Sequence, residues 1–276
     1  MEAVGRTKPK AVVLIHGLWM TERSFEHWVA RYEARGYQVI CEPWPRMNRP
    51  IEELRRDPSA LAGLGVTEVV DHYDRLIGRL DPQPIIIGHS FGGLVTQLLL
   101  DRGLGSAGVA IGTAPIKGVV KLPLSTLRVS LPALSNPANL RRAVSLTPKQ
   151  FHYAFTNTLS EKESLEVYER HQVPGPDRMI FQAAFANLAP AAATRVNFAN
   201  SHRAPLLLVA GSEDHISPVS VSRASARLYR KSLAVTEVME FTGHSHYILG
   251  EEGWEKVADF CLNWAETPPT TSMRAA

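Results

Sequence analysis

The sequence predicts an α/β protein: a mostly parallel sheet with helices on both faces. Three observations predict it. Strand-like and helix-like segments alternate along the chain. The strand-like segments are continuous apolar runs, such as Ala11-Val12-Val13-Leu14-Ile15. Strands buried on both faces of a parallel sheet read this way, whereas half-exposed strands alternate. Finally, Ile85-Ile86-Ile87-Gly88-His89-Ser90-Phe91-Gly92-Gly93 passes straight from a strand pattern into a helical one.

The elements follow in order. After the first strand, a helix is expected from about Thr21 to Arg35. It has Phe25, Trp28, Val29 and Tyr32 on one face, and Gly36 ends it. Tyr37 to Cys41 reads as a strand. A Pro-rich loop follows, with Pro43, Pro45 and Pro50. Thr67 is placed to cap a helix running to about Leu80. Next come the strand Ile85–Ile87, the helix after Ser90, and a strand over Val109–Ile111. Between about Lys117 and Arg203 no comparable strand run appears, and prolines at 123, 132, 137, 174 and 176 divide the segment. Helix starts stand out there at Thr147-Pro148 and at the capping box Ser160-x-x-Glu163. This stretch is expected to be a helical insertion. The alternation then resumes: strand Leu206–Val209, helix from Ser217-Pro218 to Tyr229, strand Val235–Phe241, helix Gly250–Trp264. Thr267 to Ala276 is expected to be a flexible tail.

Bulk properties narrow the function. A chain of 276 residues suits one large domain, or one domain with an insertion. Thirty Lys and Arg stand against 27 Asp and Glu, a net charge of +3 with no basic run. That balance argues against a nucleic-acid partner. No apolar run is long enough to span a membrane, and Met1 to Lys10 lacks the apolar core of a signal peptide. Cys41 and Cys261 are expected to be buried, reduced thiols of a cytoplasmic protein.

In a wound parallel sheet, ligands bind at the carboxyl ends of the strands. The segments falling there are His16-Gly17, Gly88-His89-Ser90, Gly211 to Asp214 and Gly243 to His246. Gly88-x-Ser90-x-Gly92 between strand and helix puts a serine at the apex of a sharp turn, where it can serve as a nucleophile. A serine hydroxyl needs a base, and the base needs a carboxylate to fix its tautomer. Asp214 and His246 each lie on a loop after a later strand, in the order Ser, Asp, His.

With those residues in place, the chain resembles the α/β-hydrolases of the lipase, esterase and haloperoxidase-like group. The resemblance spans the chain outside the insertion and tail, with the usual N-terminal antiparallel strands missing or reduced. It implies an α/β-hydrolase core over 1–116 and 204–266. Residues 117–203 would be a helical lid inserted after the sixth core strand, and 267–276 a tail. It also implies catalysis by Ser90, Asp214 and His246, with the backbone amides of Leu18 and Phe91 as the oxyanion hole. No cofactor and no metal are required. The family spacing selects Asp214 over Glu213, and Gly243 and Glu251 select His246 over His244. His16 and His89 are expected to be structural imidazoles that orient the oxyanion loops. Trp19, Met20, Phe151, Tyr153 and Phe155 are candidates for lining the pocket. Met179, Phe181 and Phe185 form another apolar group in the insertion.

The expected reaction is hydrolysis of a small or mid-sized carboxylic ester, lactone or thioester through an acyl-enzyme, with a small-molecule ester as substrate and neither nucleic acid nor membrane as a partner. Perhydrolases and C–C hydrolases use the same triad and remain alternatives, as does a ligand receptor that retains it. Hydroxynitrile lyases of this fold use a nearby Lys, and only Ser245 and Tyr247 flank His246. Dehalogenases and epoxide hydrolases need Asp at the position of Ser90.

Overall fold

The computed structural model describes residues 10–121 and 123–269. The expectations for residues 1–9, and for 270–276 of the tail, lie outside the described residues. The main sheet has six strands, all parallel: β1 (Ala11–Ile15), β2 (Gln38–Ile40), β3 (Ile85–His89), β4 (Ala107–Ile111), β7 (Leu206–Gly211) and β8 (Thr236–Phe241). Their spatial order is β2-β1-β3-β4-β7-β8. The winding direction reverses between β1 and β3, so a crevice opens at the carboxyl ends of those two strands. The loops carrying Gly17 and Ser90 leave the sheet there.

The helices are α1 (Glu26–Ala34), α2 (Ile51–Arg56), α3 (Val66–Ile77), α4 (Phe91–Asp101), α5 (Leu124–Leu134), α6 (Pro148–Phe155), α7 (Glu161–His171), α8 (Arg178–Ala184), α9 (Val219–Tyr229) and α10 (Trp254–Glu266). Successive strand residues face opposite sides, so each strand feeds two cores. Val12, Leu14, Ile85, Ile87, Val109 and Val209 pack against α1 and α10 through Trp28, Tyr32, Ala258 and Leu262. Val13, Ile15, Ile86, Ala110 and Leu208 pack against α3, α4 and α9 through Val70, Tyr73, Leu94, Leu98 and Val221. Fully burying one such side chain stabilises the fold by about 1.5–3 kcal/mol, so the two layers dominate its energetics.

Several elements depart from expectation. The helix expected over Thr21–Arg35 is a 3₁₀ turn, Glu22–Phe25, followed by α1. Thr67 does not cap α3; Gly65 stands at the cap, where its amide donates to Glu68 Oε2 at 2.9 Å. Part of the Pro-rich loop forms α2, with Pro50 at its cap. The closing helix starts at Trp254 because Gly253, at φ +86°, sets its N-cap outside helical geometry. Cys41 is only partly buried, while Cys261 is fully so, and both thiols are free.

The segment 117–203 leaves after β4, the fourth strand in chain order, and holds α5 to α8. Thr147 and Ser160 form the expected capping boxes of α6 and α7. The segment also contains a two-residue antiparallel pairing, β5 (Ala143–Val144) with β6 (Gly175–Pro176). Asp177, the next residue, is buried, and neither carboxylate oxygen has a hydrogen-bond partner. Burial pushes its carboxyl up to about 7, against an ordinary value of 3.8. The folded state therefore holds this proton more tightly than the unfolded chain. Stability from this group is greatest at low pH and is lost as pH rises from about 4 through about 7. We expect Asp177→Asn to raise the melting temperature relative to wild type at pH 8, with a smaller gain at pH 5. Thermal melts at the two pH values check this; an equal gain at both would show that Asp177 is not buried as a charge.

Candidate active site

Ser90 sits between β3 and α4 with φ +56° and ψ −119°, a strained backbone for a non-glycine residue. The turn is tight enough to demand glycine. A Cβ at Gly92 would lie 2.0 Å from the Ile15 carbonyl oxygen, and one at Gly88 would lie 2.1 Å from that of Gly92. Both faces of the turn are held: the Ser90 amide donates to Ile111 O at 2.8 Å, and Ala114 N donates to Ser90 O at 3.1 Å.

Asp214 and His246 lie on the loops after β7 and β8. Asp214 Oδ1 accepts from the amides of Ile216 (2.8 Å) and Ser217 (2.7 Å). Its Oδ2 faces His246 Nδ1 at 2.7 Å. A carboxylate can only accept, so Nδ1 carries the proton and Nε2 is left with its lone pair. His246 Nε2 is buried and makes no hydrogen bond with any described residue, Ser90 included. Such contacts are often long without substrate and tighten when it binds. Gly112 ties the group together. A Cβ there would lie 3.0 Å from Asp214 Oδ2 and 3.1 Å from His246 Cε1, and the preceding residue, Ile111, holds the Ser90 amide.

Glu213 is exposed and receives the Ser212 hydroxyl at 2.9 Å, away from the imidazole. His244 pairs with a different carboxylate: its Nδ1 lies 3.0 Å from Glu251 Oε1. Glu251 also accepts from Ser245 N, Ser245 Oγ and Thr158 Oγ1 at 2.7–2.9 Å. Because the two histidines face separate carboxylates, His244-x-His246 is not arranged as a metal-binding pair. Sequence spacing used Glu251 only as a marker for the base; its work in the structure is to brace the loop that carries His246.

The β1 loop lies directly against the serine. A Cβ at Gly17 would be 2.7 Å from Ser90 Cβ. Leu18 follows it, and Phe91 is the first residue of α4, where backbone amides have no intrahelical acceptor. Trp19 is strained at φ +65°. Its carbonyl accepts from Val173 N at 2.9 Å and its indole N–H donates to Val144 O at 3.1 Å, so the segment 117–203 holds this loop from above. His16 stacks on Trp44 at 4.6 Å and accepts the Trp44 amide through Nε2, which leaves Nδ1 to donate to Gly17 O. Burial lowers its pKa to about 4, so it is neutral. His89 is held well below the ordinary histidine range, first by burial and then by His246. Its Nε2 donates to His246 O at 2.9 Å, linking the elbow to the loop after β8, and its ring also lies beside Gly17 of the β1 loop.

Of the pocket candidates, Trp19, Met20, Phe151 and Phe155 are all buried in one apolar cluster with Leu18 and Phe91. Phe155 meets His246 edge to face at 5.0 Å and stacks on Phe151 at 4.7 Å. Tyr153 does not join them. Phe151 and Phe155 are four residues apart and share one face of α6, whereas Tyr153 falls on the other. Its ring packs on His215 at 4.5 Å, and Arg128 lies 3.9 Å over it. Phe181 and Phe185 stack on each other at 6.0 Å, with Phe185 half exposed. The end of α6 is bound to both catalytic-side loops. Tyr247 N donates to Phe155 O at 2.8 Å, Asn157 Nδ2 to Glu213 O at 3.0 Å, and His215 Nδ1 to Tyr153 O at 2.8 Å. Ser90, Asp214 and His246 are all buried.

Among the described residues, no helix is long and apolar enough to cross a membrane. No curated protein sequence matches the chain significantly. Solved structures do. A monoacylglycerol lipase of Paleococcus ferrophilus is 22% identical, with a TM-score of 0.64 over 94% of this chain and 95% of that one. An extracellular α/β-hydrolase from a Paenibacillus species, described as sharing structural and functional homology with tobacco salicylic acid binding protein 2, is 17% identical. Its TM-score is 0.67 over 92% of this chain and 98% of that one. A pyrethroid hydrolase from Sphingobium faniae JZ-2 is 16% identical, with a TM-score of 0.61 over 95% of this chain and 99% of that one. At these identities the likeness is one of fold. The sequence model of the alpha/beta hydrolase family matches residues 12–260, and the chain belongs to that family.

Proposed function

We propose that this protein is a serine hydrolase of small or mid-sized carboxylic esters, acting through Ser90, His246 and Asp214. The observation that carries the reading is the buried Asp214–His246 pair. It leaves the Nε2 lone pair unbonded, and Gly112, packed against Asp214 and His246, directly follows Ile111, which holds the amide of the strained elbow serine. Ser90 Oγ attacks the ester carbonyl while its proton passes to His246 Nε2. Asp214 stabilises the imidazolium that results. The oxyanion is met by the amides of Leu18 and Phe91, and each such donor is worth about 3 kcal/mol of barrier in comparable sites. The tetrahedral adduct collapses, the alcohol leaves with the proton from His246, and the acyl group stays on Ser90. Water, deprotonated by the same imidazole, then releases the acid.

The surroundings point to an apolar substrate: Trp19, Met20, Phe151 and Phe155 pack with Leu18 and Phe91 in one buried apolar cluster, and Phe155 meets His246. The test is covalent labelling. A fluorophosphonate should modify the wild-type protein once, at Ser90, with loss of hydrolysis across a panel of esters varied in acyl length. Labelling elsewhere, or full labelling with activity retained, would overturn the proposal.

A further inference from the structure

We propose that the cavity between α5 and α6 is a second ligand site, and that it takes a small amphiphile with a carboxylate head. The inference goes beyond the hydrolase reading and does not depend on it. The cavity has a volume of about 280 Å³. Val129 and Leu146 are buried and form its floor with Pro132, while Arg128, Lys149 and Tyr153 stand at its mouth. Among the described residues, no carboxylate lines it. Neither Arg128 nor Lys149 forms an ion pair with a described residue, and the Arg128 guanidinium is held 3.9 Å over the Tyr153 ring.

The sequence reinforces the local field. Residues 102–160 contain seven Lys and Arg and no Asp or Glu, in a chain where the two signs nearly balance overall. Arg102 is ion-paired with Asp71 and Asp74, but the other six form no ion pair with a described residue and draw anions towards the mouth. An exposed cation pair alone binds an anion weakly, and a small apolar floor alone binds a hydrocarbon weakly. A ligand carrying both features satisfies the site. A medium-chain carboxylate has the chemistry required: an apolar tail for Val129, Pro132 and Leu146, and an anionic head for Arg128 and Lys149.

The site is separated from the reacting centre by one helix. Lys149 and Tyr153 face the cavity from α6, while Phe155, stacked on Phe151, faces His246 from its other side. Tyr153 also contacts His215, next to Asp214. An occupant therefore rests on the helix that walls the active site without entering it.

The experiment titrates the full-length Ser90→Ala protein with octanoate by calorimetry, so that no turnover contributes. Saturable one-site binding is expected, weakened at least about tenfold by Arg128→Gln with Lys149→Gln, and weakened by raising NaCl from about 50 to about 500 mM. Both side chains are exposed, and circular dichroism checks that the double variant stays folded; Arg128→Lys alone should retain binding within a few-fold. Octanol should bind at least about tenfold more weakly than octanoate. Four results would each overturn the proposal: no octanoate binding, binding untouched by the double substitution, octanol binding equally well, or inorganic phosphate binding as tightly as octanoate.

Discussion

Replacing Ser90 with Ala is expected to lower ester hydrolysis by about 10⁴-fold or more while the protein stays folded. The size follows from the role. Without the hydroxyl no acyl-enzyme forms, and what remains is the help given by the oxyanion amides and by substrate binding. The fold should tolerate the change. Ser90 is held by its backbone, through Ile111 O and Ala114 N, and no side-chain hydrogen bond caps α4 from this position. The φ of +56° is strained for Ala as it is for Ser, so the substitution adds little strain. Initial rates on an ester panel, with circular dichroism and thermal melts as controls, make the measurement. Retained activity in a folded Ser90→Ala protein would sink the nucleophile assignment and with it the whole mechanism.

The elbow was readable because local chemistry alone determines it. Three isoleucines demand a buried strand, glycines permit the close approach to Ile15 O, and an apolar helical pattern begins at once. The partner loops were readable because each follows a strong strand run. What stayed hidden depends on long-range packing. The β5–β6 pairing has two residues on each side, too few for any periodicity. Tyr153 looked like a pocket residue beside Phe151 and Phe155, yet the helical turn sends it to the opposite face. Glu251 looked like a spacing marker, and its four hydrogen bonds emerge only when Thr158, some ninety residues earlier, folds back onto it. His89 likewise reaches the His246 carbonyl across 157 positions. The acid-free stretch from 102 to 160 is visible in the sequence, but it gains meaning only once α5 and α6 enclose a cavity.

The two histidines of the β8 loop provide the second large effect. His246→Ala is expected to cost about 10⁴-fold or more in hydrolysis, and His244→Ala about tenfold or less. The asymmetry follows from their partners. His246 is fully buried, bonded to Asp214, and keeps an unbonded Nε2 while its ring lies against Phe155. Removing it takes away the proton acceptor and leaves Asp214 as a buried carboxylate with only the amides of Ile216 and Ser217. His244 contributes one of four hydrogen bonds to Glu251, and the other three, from Ser245 and Thr158, survive its loss. Its removal therefore loosens the loop without removing a reacting group. Added imidazole separates the two cases further. It can occupy the space vacated by His246 and restore part of the rate in that variant, while it has no catalytic deficit to repair in His244→Ala. Kinetics on the two variants, with and without imidazole, decide the matter. A severe loss in His244→Ala beside an active His246→Ala would move the base to His244, and Glu251 would then take the place of Asp214 as its carboxylate partner.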